Sequence, residues 1–252
     1  MTGKEVPMNP VLKLLRSHRS IRKFKDRPVK EDTLRAILRA AQCAATSNFL
    51  QAYTVIRVAD RENRQAIAEL SGDQVWVAQA PIFLVFCADL NRLALACRMN
   101  RAAMADGYAE QLIVATVDTA LFGQNTMVAA ESIGLGGVFI GGIRNHPQRV
   151  CELLAIPDQA YPVFGMCLGY PDRVPPSKPR LPLASILKEE VYSLEGEEER
   201  LRAYDEKIRA YYLGRDSNLR DETWTGQMAA FMPGKVRPHM KAFLEQKGFW
   251  AR

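Results

Sequence analysis

Hydrophobic residues recur along this chain with two periods, and the switches between them predict an ordered series of elements. Asn9 and Pro10 ahead of Val11-Leu12-Lys13-Leu14-Leu15 predict a short capped helix that stops near Ser17. Leu34, Ile37, Leu38 and Ala41 share one face of a helix predicted over 31–45. The β-branched stretch 54–58 reads as a strand, and 61–70 as a helix ending at Gly72. Residues 81–88, Pro-Ile-Phe-Leu-Val-Phe-Cys-Ala, are an unbroken apolar run, which marks a strand buried on both faces. The stretch 90–107 has mixed charge and weak periodicity and receives no assignment. A long helix predicted over 108–133 is apolar nearly all round, so it requires cover on every side, and Gly134 ends it. A second buried strand is predicted over 137–142, a short helix opening at Asn145-His146-Pro147, and a further strand over 161–170.

Strands and helices therefore intermix through the first two-thirds of the chain, which predicts an α+β protein with one three-layer unit. Residues 171–182 form a connector carrying Pro, Lys and Arg. Beyond it, an amphipathic helix over 197–213 and a basic helix near 239–247 come with no strand run and too little apolar content for a core. The division expected is thus 1–182 as the main unit and 183–252 as an extension packed on it or on a partner subunit.

Composition narrows the classes. The 252 residues are 48% hydrophobic and 25% charged, as in a folded globular chain. The net charge of +6 suits an anionic small molecule, a nucleic acid or a membrane surface. Most cations alternate with acids and only 16–30 is clearly one-signed. No basic patch interleaved with aromatics and no recognition helix is present, which argues against a nucleic-acid binder. Cys43, Cys87, Cys97, Cys151 and Cys167 are odd in number and lack a C-x-x-C pair. The three histidines have no ligand spacing, so neither a disulfide framework nor a metal site is expected. Residues 1–10 lack the apolar core of a signal peptide. Asp118, Gln124, Asn125 and Glu131 interrupt the apolar stretch 112–143 and make a bilayer span a poor fit. The expected location is the reducing cytoplasm.

Four segments carry candidate chemistry. His18-Arg19-Ser20-Ile21-Arg22 sets two guanidinium forks, an imidazole and a hydroxyl at a helix end, a set suited to phosphate; a solvated basic loop is the alternative. Thr46-Ser47-Asn48, followed by Gln51, could bond a heterocycle edge or polyol, or simply end a helix. Residues 134–142 tempt toward a dinucleotide fingerprint, but Phe139 stands where the third glycine belongs, and a helix precedes the glycines instead of following them. Gly141 and Gly142 would instead let backbone approach a flat ligand, or permit tight helix–strand packing. Lys178-Pro179-Arg180 holds two cations on a stiff loop. No P-loop, nucleophile elbow, H-E-x-x-H or paired acid is present, so the chemistry points to a bound cofactor.

The ordered set HRSIRKF, SNFLQAY, VFCADLNR, AAESIGLGGVFIGGIRN, FGMCLGYP, KPRLP and YDEKIRAYYLGRDSN resembles the nitroreductase superfamily over nearly the whole chain. It is most similar to the oxygen-insensitive NADPH nitroreductases and NADPH-flavin reductases. The resemblance implies a three-layer fold with a mixed central sheet flanked by helices, in an intertwined homodimer with FMN at the subunit interface. It implies FMN contacts at His18, Arg19, Ser20, Arg22, Thr46, Ser47, Asn48, Gln51, Gln74, Phe139, Ile140, Gly141, Gly142, Lys178 and Arg180. Arg215 and Arg220 would receive NADPH. The implied reaction is ping-pong hydride transfer from NADPH, or NADH, to nitroaromatics, quinones or free flavin, with no catalytic side chain. A superfamily member with a dedicated substrate is the alternative.

Overall fold

The computed structural model describes residues 7–216, 218–234, 236–250 and 252, and its contacts divide the chain into two compact units. The first comprises residues up to Val174 together with Arg237–Arg252; the second is Pro175–Val236.

The first unit is built on strands β1 (Tyr53–Arg57), β2 (Ile82–Asp89), β3 (Gly136–Ile140) and β4 (Ala160–Gly169), in the order β1-β2-β4-β3. Every pairing between these strands is antiparallel. Among the described residues, parallel pairing enters through the isolated bridge of Ser20 to Gly137, which supplies the mixed character expected of the sheet. Each residue of β2 is buried. Its Ile82, Leu84 and Phe86 join one core and Phe83, Val85 and Cys87 the other, because successive side chains leave a strand on opposite faces.

Helices α1 (Pro10–Arg16), α2 (Glu31–Ala41), α3 (Arg61–Leu70), α4 (Val75–Gln79), α5 (Asn91–Met99), α6 (Ala109–Ser132), α7 (Pro147–Leu154) and α11 (Met240–Gln246) complete this unit. Leu34, Ile37 and Ala41 of α2 and Phe122, Met127 and Ala130 of α6 cover one face of the sheet. Ile67 of α3, Val77 of α4, Val150 of α7 and Phe243 of α11 cover the other. Three layers result, as the alternation of elements predicts.

Local details add to or alter the expected elements. Helix α2 ends at Ala41 instead of 45, because the amides of Cys43 and Ala44 turn back to Ala40 and Ala41 in a tightened last turn. The second buried strand stops at Ile140, where its pairing with Gly165 ends, and Gly141–Asn145 winds into a 3-10 turn. The unassigned stretch contains α5, opened by Asp89 Oδ1 accepting the amide of Asn91 at 2.9 Å. Within the extension, which is expected to pack on the main unit or a partner, Arg237–Arg252 cluster with the first unit. Phe243 and Phe249 sit in its core, and Phe249 packs edge-on against Tyr161 at 5.1 Å.

Helix α6 is long and apolar enough to cross a membrane by length and composition alone. Within this unit it is a core helix on one side, whereas Ile113, Val117 and Leu121, four residues apart, are exposed. The cover expected on every side is therefore absent from one stripe among the described residues.

The second unit contains α8 (Leu183–Ile186), α9 (Glu197–Leu213) and α10 (Trp224–Phe231). Tyr204, Ile208 and Tyr212 of α9 form a small cluster with Leu181, Tyr211 and Trp224. Leu183, Ile186, Leu187, Val191, Tyr192 and Leu194 are exposed.

Candidate functional site

The segment after α1 is fixed by a buried anchor. Ile21 is 4% exposed, and its amide donates to Gly137 O at 2.8 Å. The polar residues on either side are thereby held beside the start of β3. His18 Nδ1 lies 2.7 Å from Glu131 Oε1 in the last turn of α6. Arg19 donates to the carbonyl of Ser17. Ser20 is half-buried at the bridge to Gly137. Arg22 is exposed, with its guanidinium 5.7 Å from the centre of the Trp76 ring.

The other end of β3 carries the glycine turn. Phe139 is partly buried and meets Phe164 edge-on at 5.1 Å, while Ile140 is fully buried. A Cβ added at Gly142 would lie 2.3 Å from Ser71 O and 2.5 Å from Gln74 Nε2, so only glycine fits there. Gln74 itself caps α4 and donates to Ser71 O at 2.8 Å. At Gly141 the nearest atom to an added Cβ is Arg144 Nη2, at 3.4 Å. The structure thus brings Gln74 against Gly142, and segment 18–22 and Gly141 to opposite ends of one strand.

The polar loop is held separately. The amides of Ser47 and Ala52 donate to the two oxygens of Asp118, which is fully buried in α6, at 2.9 and 3.1 Å. Asn48, Phe49 and Gln51 adopt left-handed backbone at φ 45°, 59° and 54°. Phe49 projects outward at 81% exposure, and Gln51 Nε2 donates to Phe49 O at 3.4 Å. Thr46 Oγ1 is buried without a hydrogen-bond partner.

Lys178, Arg180, Arg215 and Arg220 lie in the second unit. Lys178 Nζ donates to Tyr212 OH at 2.8 Å, and Tyr204 OH to Pro179 O at 2.9 Å. Burial raises the Tyr204 phenol above its ordinary range while the Arg180 guanidinium opposes this. Arg215 lies 5.8 Å from both the Tyr211 and Tyr212 rings. Arg220 is exposed and pairs with Glu222 at 3.6 Å.

Several residues escape the sequence reading. Asp118 and Glu131 register there only as interruptions of an apolar stretch, although a carboxylate inside an apolar helix signals a buried partner. Arg237 reaches back to the glycine turn: Nε and Nη2 donate to Asn145 Oδ1 at 3.0 and 2.8 Å, and Nη2 to Gly141 O at 3.4 Å. Arg144 donates to Val163 O. Burial lowers its pKa, and the nearby Arg237 charge lowers it further. No spacing in the chain links residue 237 to 141, so this contact has no local signal. Among the described residues, no group of three or more potential metal ligands occurs.

Known proteins match this chain in sequence and fold over nearly their whole length. An oxygen-insensitive NADPH nitroreductase of Salmonella typhimurium is 45% identical over 244 residues, spanning 97% of this chain and 99% of that protein. An NADPH-flavin oxidoreductase of Vibrio harveyi is 39% identical over 97% of this chain and 100% of that protein. The solved NADPH:FMN oxidoreductase from Vibrio harveyi, in complex with NAD+, superposes with a TM-score of 0.88 at 38% identity, covering 97% of this chain and 100% of that one. Bacillus megaterium NfrA1 superposes with a TM-score of 0.92 at 41% identity, covering 96% of this chain and 100% of that one. Fold and relatives together define the class, the NAD(P)H-dependent flavin oxidoreductases, for which FMN and NAD(P)H are the expected cofactors. The nitroreductase family model matches residues 15–170 and the model of the family's C-terminal domain matches 178–252. The chain belongs to the nitroreductase family.

Proposed function

We propose that this protein is a cytoplasmic, homodimeric FMN enzyme that draws reducing equivalents from NADPH and passes them, in ping-pong order, to nitroaromatics, quinones or free flavin. The observation that carries the reading is the placement of two half-sites along α6. Glu131 stands beside His18 and Asp118 beneath Ser47, thirteen residues apart, which is about 20 Å of helix. That separation keeps the two halves of one chain from holding the same phosphate. A second copy related by a two-fold axis would bring its polar loop to the basic segment of the first. The exposed Ile113, Val117 and Leu121 of α6, with Val11, Leu12 and Leu15 of the neighbouring α1, offer an apolar surface for such a copy.

The residues present fit FMN. Arg19, Arg22, His18 and Ser20 offer donors to a phosphate. Gly141 presents backbone without a side chain, and the orphaned Thr46 hydroxyl in the polar loop lacks a partner that a ligand would supply. When bound, FMN supplies the two-electron chemistry, taking hydride from the nicotinamide and giving it to the acceptor. Segment 18–22 anchors the phosphate, Gln74, Phe139, Ile140, Gly141 and Gly142 form a floor, and the loop Thr46, Ser47, Asn48 and Gln51 bonds the polar edge. The roles implied for Lys178 and Arg180, positive charge toward the ring, and for Arg215 and Arg220, the NADPH 2′-phosphate, belong to the same proposal.

The test is kinetic. Arg215→Ala should lower kcat/KM for NADPH far more than for NADH; an unchanged ratio removes the assigned role. Initial rates at varied NADPH and acceptor should give parallel reciprocal plots. Converging plots would rule out the ping-pong order, and a protein that binds no FMN would rule out the reading as a whole.

A further inference from the structure

We propose that Arg237 is a positioning residue for the turn Gly141–Asn145: it fixes the backbone on which the flavin ring rests and brings to it a positive charge that no acid neutralises. This rests on the assignment of Gly141 and Gly142 to the floor of the FMN site.

Arg237 is the first residue of the segment with which the chain rejoins the first unit, and it meets a glycine 96 positions away. Its Nε and Nη2 donate to Asn145 Oδ1 at 3.0 and 2.8 Å, and Nη2 also donates to Gly141 O at 3.4 Å. One rigid guanidinium plane thus spans the first and last residues of the turn, which a single-headed donor could not do. The carbonyl of Gly141 and the N–H of Gly142 belong to one trans peptide and point opposite ways. Capture of the first therefore sets the direction of the second. His239 Nε2 lies 3.0 Å from Arg144 O, a further hold by the same segment. From the other side, Ile143 is fully buried, and Ser71 O and Gln74 Nε2 stand where a Cβ at Gly142 would be. The turn is gripped on two sides, and the grip from Arg237 carries charge.

That charge is unmatched. Arg237 is partly buried, and its fork rests on an uncharged amide. The Arg144 guanidinium borders the same glycine and donates to Val163 O, again an uncharged acceptor. Among the described residues, neither arginine forms an ion pair with a carboxylate. Burial lowers the Arg144 pKa and the charge of Arg237 lowers it further, so the two cations oppose one another. Partly buried cations are ordinarily matched by acids, and a pair left unmatched costs stability. Such local conflicts are kept where function needs them. Here the conflict supplies a fixed positive field beside the backbone under the ring, where reduction adds negative charge.

The test measures amide exchange of the flavin-free protein over 141–145, the Kd for FMN, and the two-electron potential of bound FMN. Arg237→Met should speed exchange in the turn about tenfold and weaken FMN binding about tenfold. It should also shift the balance from reduced toward oxidised FMN about tenfold, a potential about 30 mV lower. Asn145→Asp still accepts the fork but neutralises it, so exchange should stay slow while the potential falls by a similar amount. A merely structural contact would lower the melting temperature and leave the potential of bound FMN alone. Parent-like exchange in flavin-free Arg237→Met, or a parent-like potential in Asn145→Asp, would overturn the proposal. The second result decides even if Arg237→Met fails to fold. Parent protein that takes up no FMN would instead remove the cofactor assignment on which the proposal stands.

Discussion

The carboxylate of Asp118 accepts the amide of Ser47 at 2.9 Å through one oxygen, while its other oxygen accepts the amide of Ala52. One fully buried charge thus ties down both ends of the polar loop, whose interior takes left-handed backbone at Asn48, Phe49 and Gln51. Removing the carboxylate strands the buried Ala52 N–H and the part-buried Ser47 N–H and frees the left-handed backbone between them. Each charge-assisted bond contributes roughly 1.5–3 kcal/mol, so Asp118→Ala should destabilise the protein by about 3 kcal/mol in urea unfolding. Asp118→Asn, with one acceptor oxygen left, should fall between. A loss below about 1 kcal/mol would mean that the loop is held by something else.

The two adjacent glycines should respond differently. An alanine at Gly142 meets backbone at 2.3 Å and cannot be relieved by a rotamer change. Gly142→Ala should lower the melting temperature by several degrees. At Gly141 the nearest neighbour is the end of the Arg144 side chain at 3.4 Å, which can shift. Gly141→Ala should therefore keep the parent's stability yet purify with less bound flavin. Equal melting losses in both variants would contradict the distinction.

The thiols divide by burial. Cys87, Cys151 and Cys167 are buried, and loss of hydration pushes the Cys151 thiol up to about 11 and the Cys167 thiol to about 12, from an ordinary 9. Desolvation raises Cys87 as well. Cys43 is exposed. A thiol reagent near neutral pH should modify Cys43 in the folded protein and the three buried thiols only after denaturant is added. For each buried thiol the folded state favours the protonated form. Its contribution is complete below pH 9 and is lost as pH rises from 9 toward 11 and 12. Alkaline unfolding in that window should therefore move upward in pH when Cys167 is replaced by Ala, provided that the cavity is tolerated.

How much was legible follows the range of the interactions. The unbroken run in β2 reads as a doubly buried strand because burial of every side chain is written in consecutive residues. The bounds of α3 and α9 likewise follow from local periodicity and caps. The basic segment 18–22 and the glycines at 141–142 stand out by residue type alone as groups suited to phosphate and to close approach. By contrast, the 3-10 turn at Gly141–Asn145 depends on where pairing with β4 runs out, and the return of Arg237–Arg252 to the first unit depends on a hydrophobic slot beside Tyr161.

Sequence by itself determined the order of elements, the α+β class and the residue types able to grip an anionic, flat cofactor, since these rest on periodicity, propensity and side-chain chemistry. Only the tertiary structure decided which groups meet: Glu131 with His18, Asp118 with Ser47, Arg237 with Gly141. It also left one stripe of α6 uncovered, at Ile113, Val117 and Leu121. Such pairings join residues 71 to 113 positions apart, and their energy comes from desolvated charge and shared burial, which no local pattern encodes.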